Sequence, residues 1–211
     1  MIGIVDYGMG NLFSVRKALE RLGSEYLISD KPEVLGKTDA LILPGVGSFK
    51  DAMDLLNQAG LTSFLQEYTA GGGHLLGICL GMQLLFEQSE ENGESAGLGL
   101  LPGKIVRFPG KTEEGESYKV PHMGWNKLAF RRDAEILKGC EEDYVYFVHS
   151  YYLEGEPRDV CIATADYYKT VPAIAGKGNV LGMQFHPEKS GELGMKLLKN
   201  YLDLAEKKVK S

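Results

Sequence analysis

The amino-acid sequence predicts an α/β fold in which helices cover both faces of a doubly wound, mostly parallel sheet, with an antiparallel extension in the second half of the chain. In the first half, short apolar runs alternate with stretches of helical periodicity, an order that is typical of parallel sheets. In the second half, strand-like runs with aromatic residues follow one another before a final helix. The length of 211 residues suits one domain with a sizeable core, so we expect residues 1–211 to form a single domain.

The first half begins with a predicted buried strand, Ile2 to Tyr7, and a turn. The helix that follows has Asn11 as its N-cap and ends at Gly23, because its apolar residues have the spacing of one helix face and glycine suits the position after the last turn. The acidic run from Glu87 to Glu94 is interpreted as a solvated loop, as blocks of like charge usually are. Further strands are predicted at 25–29, 39–44 and 74–78, and helices at 50–57, 61–70 and 80–87.

The second half opens with a strand at 104–108 and a polar, glycine-rich segment, Pro109 to Ser117, that we expect to be a mobile loop. The final helix is predicted from Gly191 to Lys207, where apolar residues form a stripe at helical spacing. Between them, strands are predicted at 119–130, 143–153, 160–168, 172–178 and 180–185.

Composition and charge exclude several classes of protein. The formal net charge is -6, and no cluster of lysine and arginine with interleaved aromatics is present, which argues against a nucleic-acid-binding face. The three cysteines have no CxxC spacing, so neither a disulfide framework nor a metal site is indicated. No apolar run approaches the ~20 residues of a membrane span, and the N-terminus lacks the pattern of a signal peptide. We therefore expect a cytoplasmic protein with reduced thiols.

The segment GICLG, residues 77–81, is the thiol version of the G-x-S-x-G nucleophile elbow, because a predicted strand meets a predicted helix at Cys79. The helix N-terminus would favour a thiolate, and the backbone N–H of Leu80 would face a developing oxyanion. The glycines would avoid clashes where the strand meets the helix. A free cysteine is also a common core residue. The local pattern leaves both interpretations of Cys79 open.

A base and an orienting group for such a nucleophile are found at His186 and Glu188. His186 ends a predicted strand, and a carboxylate two residues later can hold its imidazole while the imidazole takes the thiol proton. The carboxyl ends of parallel strands meet at one edge of a sheet, so Cys79 and His186 are expected to lie close together. His149 also ends a strand and is expected near the same pocket. A core or surface role remains the alternative for each histidine.

The loop LPGVGSF, residues 43–49, follows a predicted strand and is a second candidate oxyanion donor. Its glycines, Gly45 and Gly47 on either side of Val46, allow backbone N–H groups to approach a ligand closely. The loop lacks the Gly-Lys-Ser/Thr of a Walker motif, and GMGN near the N-terminus lacks the third glycine of a dinucleotide fingerprint. A plain turn is the alternative interpretation.

Taken together, GICLGMQLLFE, LPGVGSF and FHPE resemble the motifs of the class I (triad) glutamine amidotransferases, in order and spacing along nearly the whole chain. The resemblance implies a flavodoxin-like fold and no cofactor. It implies that Cys79 attacks the side-chain amide of glutamine, that His186 protonates the departing ammonia, and that water releases glutamate from a thioester. The positions matching the family's other functional residues are the oxyanion donors Gly45, Val46, Gly47 and Leu80 and the substrate-binding residues Gln83, His149, Ser150 and Tyr151.

Four segments, 4–23, 120–128, 146–152 and 182–191, are similar to the glutaminase subunits of imidazole glycerol phosphate synthases. This narrower resemblance implies a heterodimer with a (β/α)8-barrel cyclase subunit. The cyclase would use the ammonia to make imidazole glycerol phosphate and an aminoimidazole carboxamide ribonucleotide in histidine biosynthesis. A glutaminase of another synthase, such as pyridoxal 5'-phosphate synthase, remains an alternative, as do a non-catalytic interaction subunit and a redox protein.

The resemblance also implies positions for the partner. Asn11 and Lys189 match residues near the partner subunit, and Lys189 directly follows Glu188. Met123 and Trp125 are expected to form a docking anchor, because interfaces are enriched in methionine and tryptophan. A buried core position is the alternative for Trp125, the single tryptophan of the chain.

Overall fold

The computed structural model describes residues 1–209, with side chains described up to 206. Its first half alternates strands and helices as predicted, with one additional short helix, α2, that the sequence pattern did not indicate. Asn11 caps α1 by accepting a hydrogen bond from the Ser14 N–H at 3.3 Å, and Gly23 follows the helix with φ +67°. The elements are β1 (Ile2–Val5), α1 (Leu12–Arg21), β2 (Tyr26–Ser29), α2 (Pro32–Leu35), β3 (Ala40–Gly45), α3 (Phe49–Gln58), α4 (Leu61–Ala70), β4 (His74–Cys79) and α5 (Leu80–Leu84).

The second half consists mainly of strands and ends in the longest helix. Short 3-10 turns occur at Glu135–Leu137 and Pro187–Lys189. The elements are β5 (Phe86–Ser89), β6 (Ser95–Ala96), β7 (Leu101–Arg107), β8 (His122–Lys127), β9 (Ala129–Phe130), β10 (Tyr144–His149), β11 (Tyr151–Leu153), β12 (Cys161–Asp166), β13 (Thr170–Lys177), β14 (Val180–Met183) and α6 (Gly191–Val209).

The main sheet has eight strands in the order β2-β1-β3-β4-β14-β13-β12-β9. The first five are parallel, and β13, β12 and β9 continue the sheet in antiparallel fashion. One apolar cluster joins Ile4 and Ile42 to α1 and α6, whereas a second joins Leu41 and Leu43 to α3 and α4. Helices therefore cover both faces, and the predicted doubly wound sheet with an antiparallel extension is confirmed.

Not every strand of the second half extends the main sheet. A four-stranded sheet has the order β11-β7-β5-β6, and β8 and β10 form a separate two-stranded sheet. Residues 109–117, predicted as a mobile loop, include a small turn closed by a bridge between Lys111 and Ser117, and their mobility stays a prediction. None of the helices in the described part of the chain has the length and apolarity to cross a membrane.

One prediction about residues 80–94 is wrong, and another holds only in part. The helix expected over 80–87 ends at Leu84, because Phe86 begins strand β5. The acidic run is largely exposed, as expected, but it is not all loop: Glu87–Ser89 belong to β5, and three of its carboxylates accept backbone hydrogen bonds, Glu87 from Gly103, Glu90 from Arg107 and Glu91 from Phe49, at 2.8–2.9 Å. The charge pattern could not show this, because the N–H donors belong to strand β7 and helix α3.

Candidate active site

Cys79 is the last residue of β4 and lies on a sharp turn into α5. Its backbone has φ 57° and ψ −114°, a conformation that costs a residue with a side chain about 1–3 kcal/mol. Such strain persists only where the packing around the residue holds its backbone in place. The elbow predicted from the sequence is therefore present in the backbone.

The two glycines of the elbow are required by backbone contacts. A β-carbon built on Gly77 would overlap the carbonyl group of Gly81, and one built on Gly81 would overlap the carbonyl oxygen of Leu43 in β3. The first turn of α5 thus packs backbone against backbone on the central strands. This contact fixes where the Cys79 side chain emerges from the sheet.

The helix after the elbow is shorter than expected. The α5 helix has five residues instead of the predicted eight. The Cys79 Sγ lies 3.9 Å from the Val148 carbonyl oxygen of β10. The side chain of Cys79 also forms a hydrogen bond with His186.

His186 and Glu188 form a buried pair behind Cys79. The His186 Nδ1 lies 2.8 Å from the Glu188 Oε1, with both side chains at most 4% exposed. Burial alone lowers the pKa of His186, but hydrogen bonds to Cys79 and Glu188 and the negative charges of both groups raise it to about 9. The raised pKa allows the imidazole to hold a proton and to give it to a leaving group.

Several elements hold His186 in this position. The β14 strand pairs in parallel with β4, with Met183 opposite Ile78, so the chain leaves both strands at the same edge. The His186 N–H donates to the Tyr146 carbonyl at 3.0 Å, and the Ser190 hydroxyl donates to the His186 carbonyl at 2.6 Å. The arrangement expected from parallel strand ends is the one observed.

A pocket of about 390 Å³ opens in front of Cys79 and His186. Most of the residues predicted for the site line it, whereas Gly45 and Glu188 lie outside the lining. Three further lining residues, Glu91, Pro121 and Val148, were not predicted. The predicted residues that line it are Val46, Gly47, Cys79, Leu80, Gln83, His149, Ser150, Tyr151 and His186.

Gln83 presents one end of its side-chain amide to the pocket. Its Nε2 donates to the Tyr151 carbonyl at 2.9 Å and to the Gln184 Oε1 at 3.1 Å. Both N–H groups are thereby used, so the carbonyl oxygen of Gln83 is the atom left to accept a hydrogen bond from a ligand. An ammonium or amide N–H group of a ligand could donate a hydrogen bond to this oxygen.

Tyr7 is a neighbour of the site that sequence reasoning missed. Its hydroxyl is buried and donates to the Pro44 carbonyl at 3.0 Å, directly before the Gly45–Gly47 loop. Burial and the charge of Cys79 both raise the pKa of Tyr7, so it remains a neutral donor. The only sequence signal was its place at the end of the first predicted strand.

The residues predicted to meet a partner lie outside the pocket. Met123 and Trp125 are 59% and 55% exposed, so a core position for the tryptophan is wrong. Lys189 is exposed in the turn after His186, and Asn11 is half-buried at the start of α1. The Trp125 ring lies 6.1 Å from that of Tyr146, whose carbonyl accepts the His186 N–H. Trp125 is therefore linked to His186 through Tyr146.

Comparison with known proteins agrees with this geometry. The sequence model of the family described as glutamine amidotransferase class-I matches residues 3–204. A solved structure described as a glutamine amidotransferase has a TM-score of 0.76 and 23% identity, covering 97% of this chain and 98% of its own, a likeness of fold.

Two curated relatives are much more similar, and both are named imidazole glycerol phosphate synthase subunit HisH. The protein of Halalkalibacterium halodurans is 59% identical over 212 residues, covering 100% of this chain and 99% of its own length. That of a Geobacillus species is 61% identical over 208 residues, covering 99% of each. The resemblance found in the motifs is confirmed: the chain belongs to the class-I glutamine amidotransferase family, among the imidazole glycerol phosphate synthase subunits HisH.

Proposed function

We propose that this chain is the glutaminase subunit of imidazole glycerol phosphate synthase. Residues 1–211 would act as one amidotransferase domain that hydrolyses glutamine and supplies ammonia to a cyclase subunit in histidine biosynthesis. The observation that carries the proposal is the buried His186–Glu188 pair next to a strained elbow cysteine, in a chain 59% identical to a HisH subunit over its full length. A cytoplasmic location belongs to the proposal, since a nucleophilic thiol needs a reducing compartment.

The chemistry begins when Cys79 transfers its proton to His186, its hydrogen-bond partner, whose pKa is raised. The thiolate attacks the side-chain carbonyl carbon of glutamine, and the carbonyl oxygen becomes an oxyanion. Backbone N–H groups of Leu80 and of the Gly45–Gly47 loop bind that oxyanion. The proton on the His186 Nε2 passes to the amide nitrogen as the C–N bond breaks, and ammonia leaves.

The second half of the reaction hydrolyses the thioester. His186, now neutral, accepts a proton from a water molecule that attacks the acyl carbon. Glutamate leaves as the C–S bond breaks, and Cys79 returns to its starting state. Glu188 keeps the imidazole oriented through its hydrogen bond to the Nδ1 throughout.

The substrate is oriented by groups on the far side of the pocket. The carbonyl oxygen of Gln83 accepts a hydrogen bond from glutamine, and the chain at His149, Ser150 and Tyr151 holds its amino-acid portion. These residues line the pocket with Cys79, and its volume of about 390 Å³ accommodates an amino acid of this size.

The partner is a (β/α)8-barrel cyclase subunit in a heterodimer, docked on the exposed surface formed by Met123 and Trp125, with Asn11 and Lys189 at its margin. Support comes from the exposure of both large apolar side chains on β8 and from the relatives being named as synthase subunits. Ammonia released in the pocket would pass to the cyclase rather than to solvent, where it would be protonated and lost.

A reconstituted synthase tests this function. The chain is mixed with the cyclase subunit of a HisH-containing organism and supplied with glutamine and the cyclase's ribulose-phosphate substrate. We expect glutamine-dependent formation of imidazole glycerol phosphate with equal release of glutamate. Glutamine hydrolysis that is never coupled to this product, or product formation only with a pyridoxal 5'-phosphate synthase subunit, would contradict the proposal.

Replacing Glu188 by glutamine should lower kcat by about 10²–10⁴-fold, because a neutral amide cannot stabilise the imidazolium. Because the protonated imidazole is the acid, the wild-type kcat/KM should fall as pH rises through about 9. In Glu188→Gln the pKa of His186 drops, so this alkaline limb should move to lower pH. Rate–pH profiles measure both effects. Glu192→Gln, an exposed carboxylate in the next helix, is the control, and an unmoved limb in Glu188→Gln would exclude this role.

Replacing Trp125 by alanine should weaken binding of the cyclase subunit by about 30-fold or more, the size typical of a tryptophan hot spot. The stability of the isolated chain should change little, since the side chain is half exposed. Isothermal titration with the purified cyclase subunit measures the affinity. Ile28→Ala, a truncation on edge strand β2, is the matched control and should leave the affinity unchanged.

A further inference from the structure

A chain of buried hydrogen bonds runs from strand β8 into the pocket. The Asn126 Nδ2 lies 3.2 Å from the His122 Nε2, and the His122 Nδ1 lies 2.9 Å from the His149 Nε2. The His149 Nδ1 in turn lies 2.8 Å from the Tyr151 carbonyl oxygen. His122 and His149 are 2% and 6% exposed, so water does not replace these partners.

The direction of every bond in this chain is determined by its two ends, the Asn126 amide and the Tyr151 carbonyl, which can only accept. The Asn126 Oδ1 accepts from the Lys127 N–H at 2.8 Å, and its Nδ2 donates to the Asp166 carbonyl, so the group facing His122 is an N–H. The His122 Nε2 must then accept, which places the His122 proton on Nδ1. By the same argument His149 accepts at Nε2 and donates from Nδ1 to the Tyr151 carbonyl.

Both imidazoles are neutral in this arrangement. Burial lowers the pKa of His122 to about 4. Burial also lowers the pKa of His149 to about 3, against its hydrogen bond to the Tyr151 carbonyl, and the charges of His122 and His186 add to the lowering. The rings are packed among aromatic side chains, with Tyr167 and Phe147 stacked on His122 at 4.1 and 4.4 Å.

The chain ends on the Tyr151 carbonyl, which holds Gln83 in the pocket lining. The Tyr151 carbonyl has two lone pairs, one taken by His149 and the other by the Gln83 Nε2 at 2.9 Å. Fixing this carbonyl therefore fixes the plane of the Gln83 amide, whose oxygen is the part left for a ligand. The orientation of the Gln83 amide in the pocket therefore depends on hydrogen bonds that begin at Asn126, outside the pocket.

The chain begins on the strand that carries the exposed apolar residues. Side chains alternate along a strand, so His122 and Asn126 share the inner face of β8, whereas Met123 and Trp125 share the outer face. The β8 strand pairs with β10, in register with His149 opposite His122. The hydrogen-bond chain and the exposed apolar residues therefore start from opposite faces of the same strand.

We propose that His122 and Asn126 are positioning residues for glutamine binding: they act through His149 to hold the Tyr151 carbonyl and the Gln83 amide in the orientation that accepts the substrate. This inference rests on the proposed glutaminase function and assigns no contact between either residue and the reacting atoms. Loss of the chain should therefore raise KM for glutamine and leave kcat nearly unchanged, because the nucleophile and its base are untouched.

Steady-state kinetics with the cyclase subunit present test the proposal. His122→Phe keeps the ring packing but leaves the His149 Nε2 without a donor, and it should raise KM for glutamine about ten-fold. His122→Asn retains an N–H near the position of Nδ1 and should recover most of the loss. Tyr167→Phe is the control, since its hydroxyl donates to the Lys119 carbonyl outside the chain. An unchanged KM in His122→Phe, with an active wild type, would overturn this inference alone, whereas an inactive wild type would overturn the proposed function.

A tautomer measurement separates positioning from simple packing. Long-range ¹H–¹⁵N spectra of the full-length protein should show both imidazoles protonated at Nδ1. In Asn126→Asp the carboxylate can only accept, so His122 should gain a second proton at Nε2, whereas His149 should keep its Nδ1 proton because the Tyr151 carbonyl also can only accept. Imidazoles that are Nε2-protonated in the wild type, or a His149 that loses its Nδ1 proton in Asn126→Asp, would contradict the directed chain.

Discussion

Replacing Cys79 by alanine should reduce glutamine-dependent synthesis by at least about 10⁴-fold, because the thioester cannot form without the nucleophile. Synthesis supplied with ammonia directly should remain near the wild-type rate, since the cyclase subunit does not need the Cys79 thiol for that reaction. Parallel assays with glutamine and with an ammonium salt measure the two rates. Loss of both activities would point to a structural role for Cys79 instead.

Covalent labelling provides an independent readout of the same prediction. A glutamine-analogue diazoketone should alkylate Cys79 and neither of the other cysteines. Cys140 and Cys161 lie outside the pocket, and burial, together with the charge of Glu156, raises the pKa of Cys161 to about 11. Mass spectrometry of digested protein locates the adduct, and Cys140→Ala is the matched control that should label like the wild type. An adduct at Cys140 or Cys161 would contradict the assignment of the nucleophile.

Replacing Gly81 by alanine should destabilise the protein by about 4 kcal/mol or more, a large part of the roughly 5–15 kcal/mol that separates folded from unfolded chains. The added β-carbon would overlap the Leu43 carbonyl oxygen, and Leu43 lies in a strand that is hydrogen-bonded on both sides by β1 and β4. Relief of the clash would require moving α5 or the centre of the main sheet. Either movement would displace Cys79.

Urea unfolding followed by circular dichroism measures the loss of stability in Gly81→Ala. A variant that cannot be recovered in folded form would also agree with the prediction. Gly71→Ala is the matched control, because Gly71 has φ −72° and an added β-carbon would meet its nearest neighbour, the Glu67 carbonyl oxygen, at an ordinary 3.4 Å. It should change the free energy of unfolding by less than about 1 kcal/mol. A stable Gly81→Ala variant with wild-type turnover would show that the elbow tolerates a side chain there.

Much of the first half of the fold could be predicted because its signals are local. The α4 helix has the predicted bounds, Leu61–Ala70, and Asn11 is the N-cap of α1, since apolar periodicity and capping depend on residues a few positions apart. The second half could be predicted only as a set of strands. Which strands extend the main sheet and which form the two small sheets depends on pairing between distant segments.

The candidate site likewise has parts that local sequence could predict and parts that depend on distant segments. The elbow at Cys79 and the spacing of His186 and Glu188 are short-range features, so the sequence was sufficient to nominate them. Glu91 was missed because its role as an acceptor depends on the N–H of Phe49, 42 residues away. The predicted eight-residue helix after Cys79 was wrong because pairing with β7 draws Phe86 into a strand.

The sequence by itself indicated the type of chemistry: an elbow cysteine, a histidine with a carboxylate two residues later and a glycine-rich loop each left alternatives open, but together they resemble the motifs of one family. Only the tertiary structure decided the electrostatic state of the site and the support behind it. The raised pKa of His186 and the lowered pKa of His149 arise from burial and from partners on other elements. The His122–His149 bond joins residues 27 positions apart. Burial and hydrogen-bond direction are properties of the packed chain, and no local pattern contains them.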